Sequence, residues 1–213
     1  MPFVKLHEAG HGSLPHQSRV YALIHDCLQT LDPDTTDLFE REANVFASEV
    51  LFQGATFSQQ AHDEVFGLKV PMRLAKQFGA SNYAAFRRYV GTSPLACCLV
   101  VLEPLRRIPD GGFVAEIRRI VVSRSFSEIY DALRFGTEVT QSHVLAAAVP
   151  IGRRMVYPRQ VPLTDRNGDR RECTMEAFDT KHQVLILIAD SKPFTRQTVV
   201  LPTIADIVAL FRK

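Results

Sequence analysis

The sequence predicts an α+β protein, because its hydrophobic pattern changes character near residues 92–96. Upstream of this point, apolar residues recur at spacings of three and four, which is typical of helices. Downstream of it, short β-branched and apolar runs alternate with turn residues, which is typical of strands. We therefore expect a mainly helical N-terminal part, divided into 1–55 and 56–93, and an α+β domain over 94–213.

The helical part contains one long predicted helix and three shorter ones. In "TDLFEREANVFASEVLF", one apolar stripe contains Phe39, Ala43, Phe46, Ala47, Val50 and Leu51. Thr36 or Asp37 is expected to cap the start of this helix. The shorter helices are predicted in "SQQAHDEVFGL", "VPMRLAKQFGA" and "SNYAAFRRYVG", separated by glycines.

The second part contains four predicted strands, in "ACCLVVLEPL", "FVAEIRRIVVS", "HVLAAAVPI" and "HQVLILIAD". Asn167-Gly168 predicts a turn between two further candidate strands. Helices are expected at about 125–136 and in the closing "LPTIADIVALFRK". His143 and His182 each begin an apolar run and are expected to be structural, since nothing in this half has catalytic spacing.

Composition argues against several classes of protein. A net charge of +2 gives no overall attraction to nucleic acid or to membranes. The four cysteines have no regular spacing, which argues against a disulfide scaffold and favours a reducing compartment. The N-terminus lacks the apolar segment of a signal peptide, and no run reaches membrane-spanning length. We therefore expect a cytoplasmic protein with no membrane partner.

The stretch "LHEAGH" at residues 6–11 is the first candidate for chemistry. A spacing of four places His7 and His11 on the same helix face, where two imidazoles can bind one zinc ion. Glu8 follows the first histidine and can accept a proton from a water on the metal, which is the logic of the H-E-x-x-H motif. Gly10 leaves room for another element to pack closely.

A third ligand is expected on the next strong helix, where Glu40 and Glu42 are the candidates. They lie about 200° apart around the helix axis, so both cannot face one metal. We favour Glu40, which lies near the edge of the apolar stripe, and keep Glu42 as the rival. Asn44, four residues after Glu40, is expected to hydrogen-bond it.

The pair "HEAGH" and "EREANVFASEVL" resembles the ImmA/IrrE family of zinc metallopeptidases, whose pattern is HExxH followed by E-x-E-A-N-x-F-A. His16 matches a further histidine that the family often carries. The similarity continues through "LAKQFGASNYAAFRRYV" and covers about residues 4–92. The family normally has a strand and helices before its zinc helix, and we expect this sequence, which begins six residues before His7, to lack that segment.

The resemblance implies a zincin-like N-terminal fold with zinc as cofactor, ligands His7, His11 and Glu40, and Glu8 as general base. It also implies a helix-turn-helix-like segment and, by family architecture, a C-terminal domain of regulatory or partner-binding type, with a GAF-like sensor as one form. Family members cleave or inactivate a helix-turn-helix repressor of the XRE type in stress or mobile-element responses. We expect such a repressor as the substrate.

The segment "PMRLAKQFGASNYAAFRRYV" has two interpretations. Small residues and Gly79 fall where a helix-turn-helix requires them, and Ser81 can cap the second helix. Asn82, Tyr83, Arg87 and Arg88 would then face DNA. The plainer interpretation, which we favour, is that these helices pack around the zinc domain and expose their arginines to solvent.

Two functions follow as alternatives from the sequence. The first is a zinc-dependent endopeptidase, in which Tyr21 and His25 are guesses for the donor that stabilises the oxyanion. The second is a DNA- or protein-binding regulator whose zinc site is not catalytic. Replacing the general base Glu8 separates the two.

Overall fold

The computed structural model describes residues 2–23, 32–109, 111–131, 135–151 and 154–190 of the chain. Within these ranges the helices come first and an antiparallel sheet follows, so the predicted α+β class is confirmed. No helix in the described ranges is long and apolar enough to cross a membrane.

Six helices precede the sheet within the described residues. They are α1 (Pro2–Ser13), α2 (Pro15–Leu23), α3 (Pro33–Leu51), α4 (Thr56–His62), α5 (Lys69–Gln77) and α6 (Asn82–Gly91). The Ser81 side chain accepts a hydrogen bond from the Ala84 amide at 3.1 Å and caps α6 as predicted. Gly79, between α5 and α6, has a φ of +65°, which glycine adopts without strain.

The described part of the sheet has seven strands. They are β1 (Cys97–Leu102), β2 (Arg106–Arg107), β3 (Phe113–Val122), β4 (Glu138–Thr140), β5 (Met155–Thr164), β6 (Arg170–Asp179) and β7 (Val184–Asp190). The main order is β2-β3-β1-β7-β6-β5, and β4 pairs with β3. Helix α7 (Arg124–Ile129) follows β3, and a 3₁₀ turn (Val144–Ala148) follows β4.

The central strands β1 and β7 are apolar on both faces because both faces of the sheet are covered. Every residue of β1 is buried, as are the first five residues of β7. On one face, Leu99 and its neighbours pack against the end of α3 and against α4 to α6. On the other face, Val100 and its neighbours pack with α7 and the 3₁₀ turn. One sheet therefore has an apolar core on each side.

The predicted turn at Asn167-Gly168 is confirmed, since it joins β5 to β6 with Gly168 at a φ of +91°. The buried Asp165 carboxylate accepts hydrogen bonds from the amides of Asn167 and Asp169, both at 2.9 Å. These contacts stabilise a turn that the dipeptide already favours.

Three predictions of local structure are wrong. Helix α3 begins at Pro33 with Asp32 as its N-cap residue, and not at Thr36 or Asp37, because proline suits the first helical position. The run 143–151 contains a 3₁₀ turn, and not a strand, since its alanines have low strand preference and the His143 ring accepts a hydrogen bond from the Leu145 amide. Helix α7 ends at Ile129, well before residue 136.

The predicted boundary at 92–96 coincides with the step from α6 to β1, but the helices and the sheet share a core across it. The division into domains, the helix-turn-helix-like character of α5 and α6 and the GAF-like character of the sheet part all stay predictions. The helix predicted in 201–213, along with Cys27 and His25, lies outside the described residues.

Candidate metal centre

Helices α1 and α3 meet at Gly10, where there is no room for a side chain. A Cβ atom on Gly10 would lie 3.2 Å from the Ala43 Cα and 3.2 Å from the Phe46 Cδ1. Ala43 is itself fully buried in this contact. The small residues bring the two helix backbones close together, and this approach sets the distance between the side chains of one helix and those of the other.

The close approach brings together the three predicted ligands. The His7 Nε2 lies 3.2 Å from the His11 Nε2 and 3.2 Å from the Glu40 Oε2, and the His11 Nε2 lies 3.4 Å from the Glu40 Oε1. Ligand atoms bound to a tetrahedral zinc at about 2.0–2.1 Å lie about 3.3–3.4 Å from one another. The separations have the size expected around a zinc ion, with the two histidines facing different oxygens of Glu40, and this is the one group of its kind within the described residues.

The site is shielded on the histidine side and open on the carboxylate side. The two imidazole side chains are each 15% exposed, whereas that of Glu40 is 49% exposed. Glu40 borders an open cavity of about 410 Å³, which is also lined by Asp34, Asp37, Arg41 and Asn44. A molecule approaching the three ligand atoms would reach them along this surface of α3. Asn44 lines the cavity but makes no hydrogen bond to Glu40 among the described contacts.

Glu8 is exposed on α1 and makes no hydrogen bond or ion pair within the described part of the chain. The Glu8 carboxylate is nevertheless near enough to the site to affect Tyr21. Burial raises the pKa of Tyr21 above its ordinary value, and the negative charges of Glu40 and Glu8 raise it further. The Tyr21 ring packs edge-on against the His11 ring, with 5.5 Å between centroids. Tyr21 thus borders His11, and Glu8 lies near enough to act on Tyr21 through its charge.

Gln17 is a residue of the site that the sequence analysis missed. Its side chain is completely buried, and its Oε1 lies 2.8 Å from the His11 Nδ1. Its Nε2 donates to the Phe39 carbonyl and to the Glu42 carboxylate. A metal-binding histidine needs an acceptor for its other ring N–H, and that requirement was the only signal available.

Glu42, the rival ligand, makes hydrogen bonds with His16 and Gln17 and does not lie beside the two histidine Nε2 atoms. Its Oε2 is 2.5 Å from the His16 Nε2 and 2.7 Å from the Gln17 Nε2. Hydrogen bonds from His16 and then from Gln17 hold the pKa of Glu42 below its usual range. The network leaves Glu40 as the carboxylate beside the two histidines, so the ligand set His7, His11 and Glu40 stays our prediction.

The residues suggested for DNA contact have different surroundings. The Arg88 guanidinium pairs with Glu49 and donates to the Gly54 carbonyl at 2.8 Å, so it joins α6 to the end of α3. The Tyr83 hydroxyl accepts a hydrogen bond from Arg119. The Arg87 side chain is exposed, and Asn82 is half-buried. DNA contact through Asn82, Arg87 and Arg88 stays a prediction.

Residues 2–89 match the model of the Peptidase_M78 family, described as an IrrE N-terminal-like domain. Residues 2–89 therefore form an IrrE N-terminal-like domain. The resemblance drawn from "HEAGH" and "EREANVFASEVL" is therefore confirmed, and the matched region contains all three candidate ligands, Glu8 and Gln17. A match to a metallopeptidase domain implies a metal ion, typically zinc, and two imidazoles with one carboxylate are a suitable donor set.

Among solved structures, a Mycobacterium tuberculosis transcriptional regulator is similar to this chain, with a TM-score of 0.43 and 16% sequence identity. The match covers 89% of this chain and 56% of that one, so the chain spans about half the length of that protein. No curated protein matches the sequence.

Proposed function

We propose that this ImmA/IrrE-type chain is a zinc-dependent endopeptidase that hydrolyses a peptide bond in a helix-turn-helix repressor of the XRE type. The observation that supports it best is the convergence of two histidine nitrogens and the two oxygens of one carboxylate at separations of 3.2–3.4 Å, which are close to those around a zinc ion. The choice of substrate, and of a stress or mobile-element response as its setting, rests on the family resemblance.

In this proposal, His7, His11 and Glu40 hold the metal. A bound zinc ion would polarise the scissile carbonyl and lower the pKa of a water molecule. The Glu8 carboxylate takes a proton from the attacking water and delivers it to the nitrogen of the leaving amine. Glu8 suits the role because it is accessible and has no described partner that would compete for its oxygens.

The surroundings of the site support a peptide substrate. The open cavity along α3 gives an extended chain access to Glu40, while the imidazoles stay shielded from solvent. Tyr21 borders His11, and a phenol carries its proton at neutral pH because the ordinary tyrosine pKa is about 10, so it is our candidate for donating a hydrogen bond to the developing oxyanion.

The test uses the purified chain, reconstituted with zinc and incubated with the XRE-type repressor encoded nearest to it. Intact-mass spectrometry should detect two repressor fragments, and Glu8→Gln should abolish them while retaining zinc and the far-UV circular dichroism spectrum. Glu128→Gln, an exposed glutamate of α7 remote from the cluster, is the matched control and should cleave normally. If Glu8→Gln still relieves repression in cells, hydrolysis is not the mechanism.

That last outcome would favour the alternative of a DNA- or protein-binding regulator with a non-catalytic zinc site. The exposed Arg87 on α6 is the feature that supports it. Loss of operator binding in an Arg87→Ala variant, measured by fluorescence anisotropy with labelled DNA, would then identify DNA as the partner. If the anisotropy of the labelled operator DNA does not change when wild-type protein is added, that DNA is not the partner.

A further inference from the structure

We propose that Gln17 is a positioning residue that sets the tautomer of His11, and that Phe39 and Glu42 orient Gln17 for this task. The inference rests on the metal site of the proposed function but does not require peptide hydrolysis. It assigns a role to a buried polar side chain that carries none in the sequence motif.

The orientation of the Gln17 amide follows from its neighbours. Its Nε2 lies 3.2 Å from the Phe39 carbonyl oxygen and 2.7 Å from the Glu42 Oε2. A backbone carbonyl and a carboxylate can only accept hydrogen bonds, so the –NH₂ group must face them. The reversed amide would place its oxygen against two acceptors inside a fully buried pocket, which is strongly unfavourable.

This orientation decides where the proton of His11 lies. The Gln17 Oε1 then faces the His11 Nδ1 at 2.8 Å, and an amide oxygen can only accept. His11 must therefore carry its proton on Nδ1. In the neutral imidazole the Nε2 then keeps a free lone pair, directed toward the His7 Nε2 and the Glu40 Oε1. That is the tautomer in which a histidine can bind a metal through Nε2.

The network also joins the three helices that form the site. His11 lies on α1, Gln17 on α2, and Phe39 and Glu42 on α3, where Phe39 immediately precedes the ligand Glu40. One glutamine thus ties the position of an α1 ligand to the turn of α3 that carries the third ligand. His7 differs, since its buried Nδ1 makes no hydrogen bond within the described ranges.

The first test measures the tautomer directly in zinc-free wild-type protein. ¹⁵N-histidine labelling and long-range ¹H–¹⁵N correlation spectra, recorded well above the ordinary histidine pKa of about 6.5, distinguish protonated from unprotonated ring nitrogens. His11, assigned from a His11→Gln variant, should show a protonated Nδ1 and an unprotonated Nε2. A protonated Nε2 in His11 would overturn the proposal.

The second test measures zinc affinity by competition with a chromophoric chelator. Gln17→Leu should weaken zinc binding about 10- to 100-fold, the usual effect of losing a residue that orients a ligand. Gln60→Leu is the matched control: Gln60 accepts a hydrogen bond from Gln77 on the helical surface, so zinc affinity should not change. An affinity for Gln17→Leu within about twofold of wild type would overturn the proposal.

Glu42→Ala provides an independent variant, because it is partly exposed and its loss creates no buried cavity. It removes one of the two acceptors that orient Gln17 but leaves the Phe39 carbonyl, so zinc affinity should fall by less than in Gln17→Leu. A larger fall in zinc affinity in Glu42→Ala than in Gln17→Leu would show that Glu42 does not act through Gln17, and it would contradict the proposal. Both readouts concern tautomer and affinity, so failure of the cleavage assay leaves them interpretable.

Discussion

The N-terminal helices and the centre of the sheet are held in place by different forces. In α1 and α2, the fully buried residues among those described are Gly10 and Gln17. In β1, by contrast, all six residues are buried, with an apolar core on each face. Fully buried apolar side chains therefore hold the sheet, whereas α1 and α2 depend on a close backbone contact, a hydrogen-bond network and the partly buried Phe3 and Leu6.

This difference suggests that the site and the fold can be altered separately. No apolar side chain of α1 or α2 is fully buried in the described residues, and Phe3 and Leu6 pack only partly buried against the core, so the local stability of these helices should be lower than that of the sheet and should respond to the ligands of the site. The sheet should respond to changes of side-chain volume and not to metal. Four predictions follow from this contrast, from the largest expected effect to the smallest.

Truncating the sheet core should produce the largest effect. Leu99 is fully buried in the middle of β1, so Leu99→Ala should lower the free energy of unfolding by about 2–5 kcal/mol. The folded variant should still bind zinc with wild-type stoichiometry, because no ligand contacts this position. Urea unfolding and elemental analysis measure the two properties. Val65→Ala, at a side chain that is 92% exposed, should change neither.

Removing zinc should loosen the helices of the site and leave the sheet unchanged. At a free zinc concentration about 100 times the dissociation constant, binding stabilises the zinc-bound form by about 2.7 kcal/mol. Hydrogen exchange followed by mass spectrometry should therefore show slower exchange in α1 and α2 when zinc is added, with no change in β1 and β7. Equal protection of both regions would indicate that they open together.

Filling the α1–α3 contact should weaken the site by an intermediate amount. The new methyl group of Gly10→Ala would lie against the Ala43 Cα, and a backbone atom cannot rotate away as a side chain can. The substitution therefore forces the two helices apart by a few tenths of an ångström. We expect a loss of about 1–3 kcal/mol in stability, reduced by the better helix preference of alanine, and weaker zinc binding. Gly12→Ala is the matched control, because a Cβ there meets nothing within 4 Å. Tighter zinc binding in Gly10→Ala than in Gly12→Ala would contradict the role of this contact.

The smallest effect concerns the ion pair between α3 and α6. A hydrogen bond from Arg88 lowers the pKa of Glu49 from its ordinary 4.5. A carboxyl group with a lowered pKa in the folded state stabilises the protein above pH 4.5, and this contribution is lost as the pH falls through the folded-state pKa. The Glu49 side chain is 48% exposed, so solvent screening limits the contribution to less than about 1 kcal/mol.

Glu49→Gln tests this assignment, because it removes the charge but leaves Arg88 its contact with the Gly54 carbonyl. Urea unfolding at pH 7 should show a slightly less stable variant, and unfolding well below pH 4.5 should show equal stabilities. A loss of the same size at both pH values would assign the effect to packing instead of charge.

The sequence predicted the elements that local patterns determine. The apolar stripe predicted α3, Ser81 predicted the start of α6, and β1 and β7 followed from their continuous apolar runs. The strand prediction for the alanine-rich run 144–148 is wrong. These residues are buried because they pack against the sheet, and they do not pair as one of its strands. Strand preference alone does not distinguish these cases.

At the candidate site, the sequence predicted the residues that a spacing rule can find. His7 and His11 share a face by helical periodicity, and Gly10 was expected to allow close packing, which the contact with Ala43 confirms. Gln17 escaped detection because its role depends on three helices meeting in space, and no sequence spacing encodes that arrangement.

The central claim is that α1 and α3 together form a zinc site with Glu40 as its third ligand. Elemental analysis of the purified chain, reconstituted with zinc and compared with Glu40→Ala and Glu42→Ala, tests it most directly. We predict about one zinc ion per chain in wild type and in Glu42→Ala, and little or none in Glu40→Ala, since catalytic sites use three protein ligands per ion. No zinc in wild type, or full retention in Glu40→Ala, would contradict the claim.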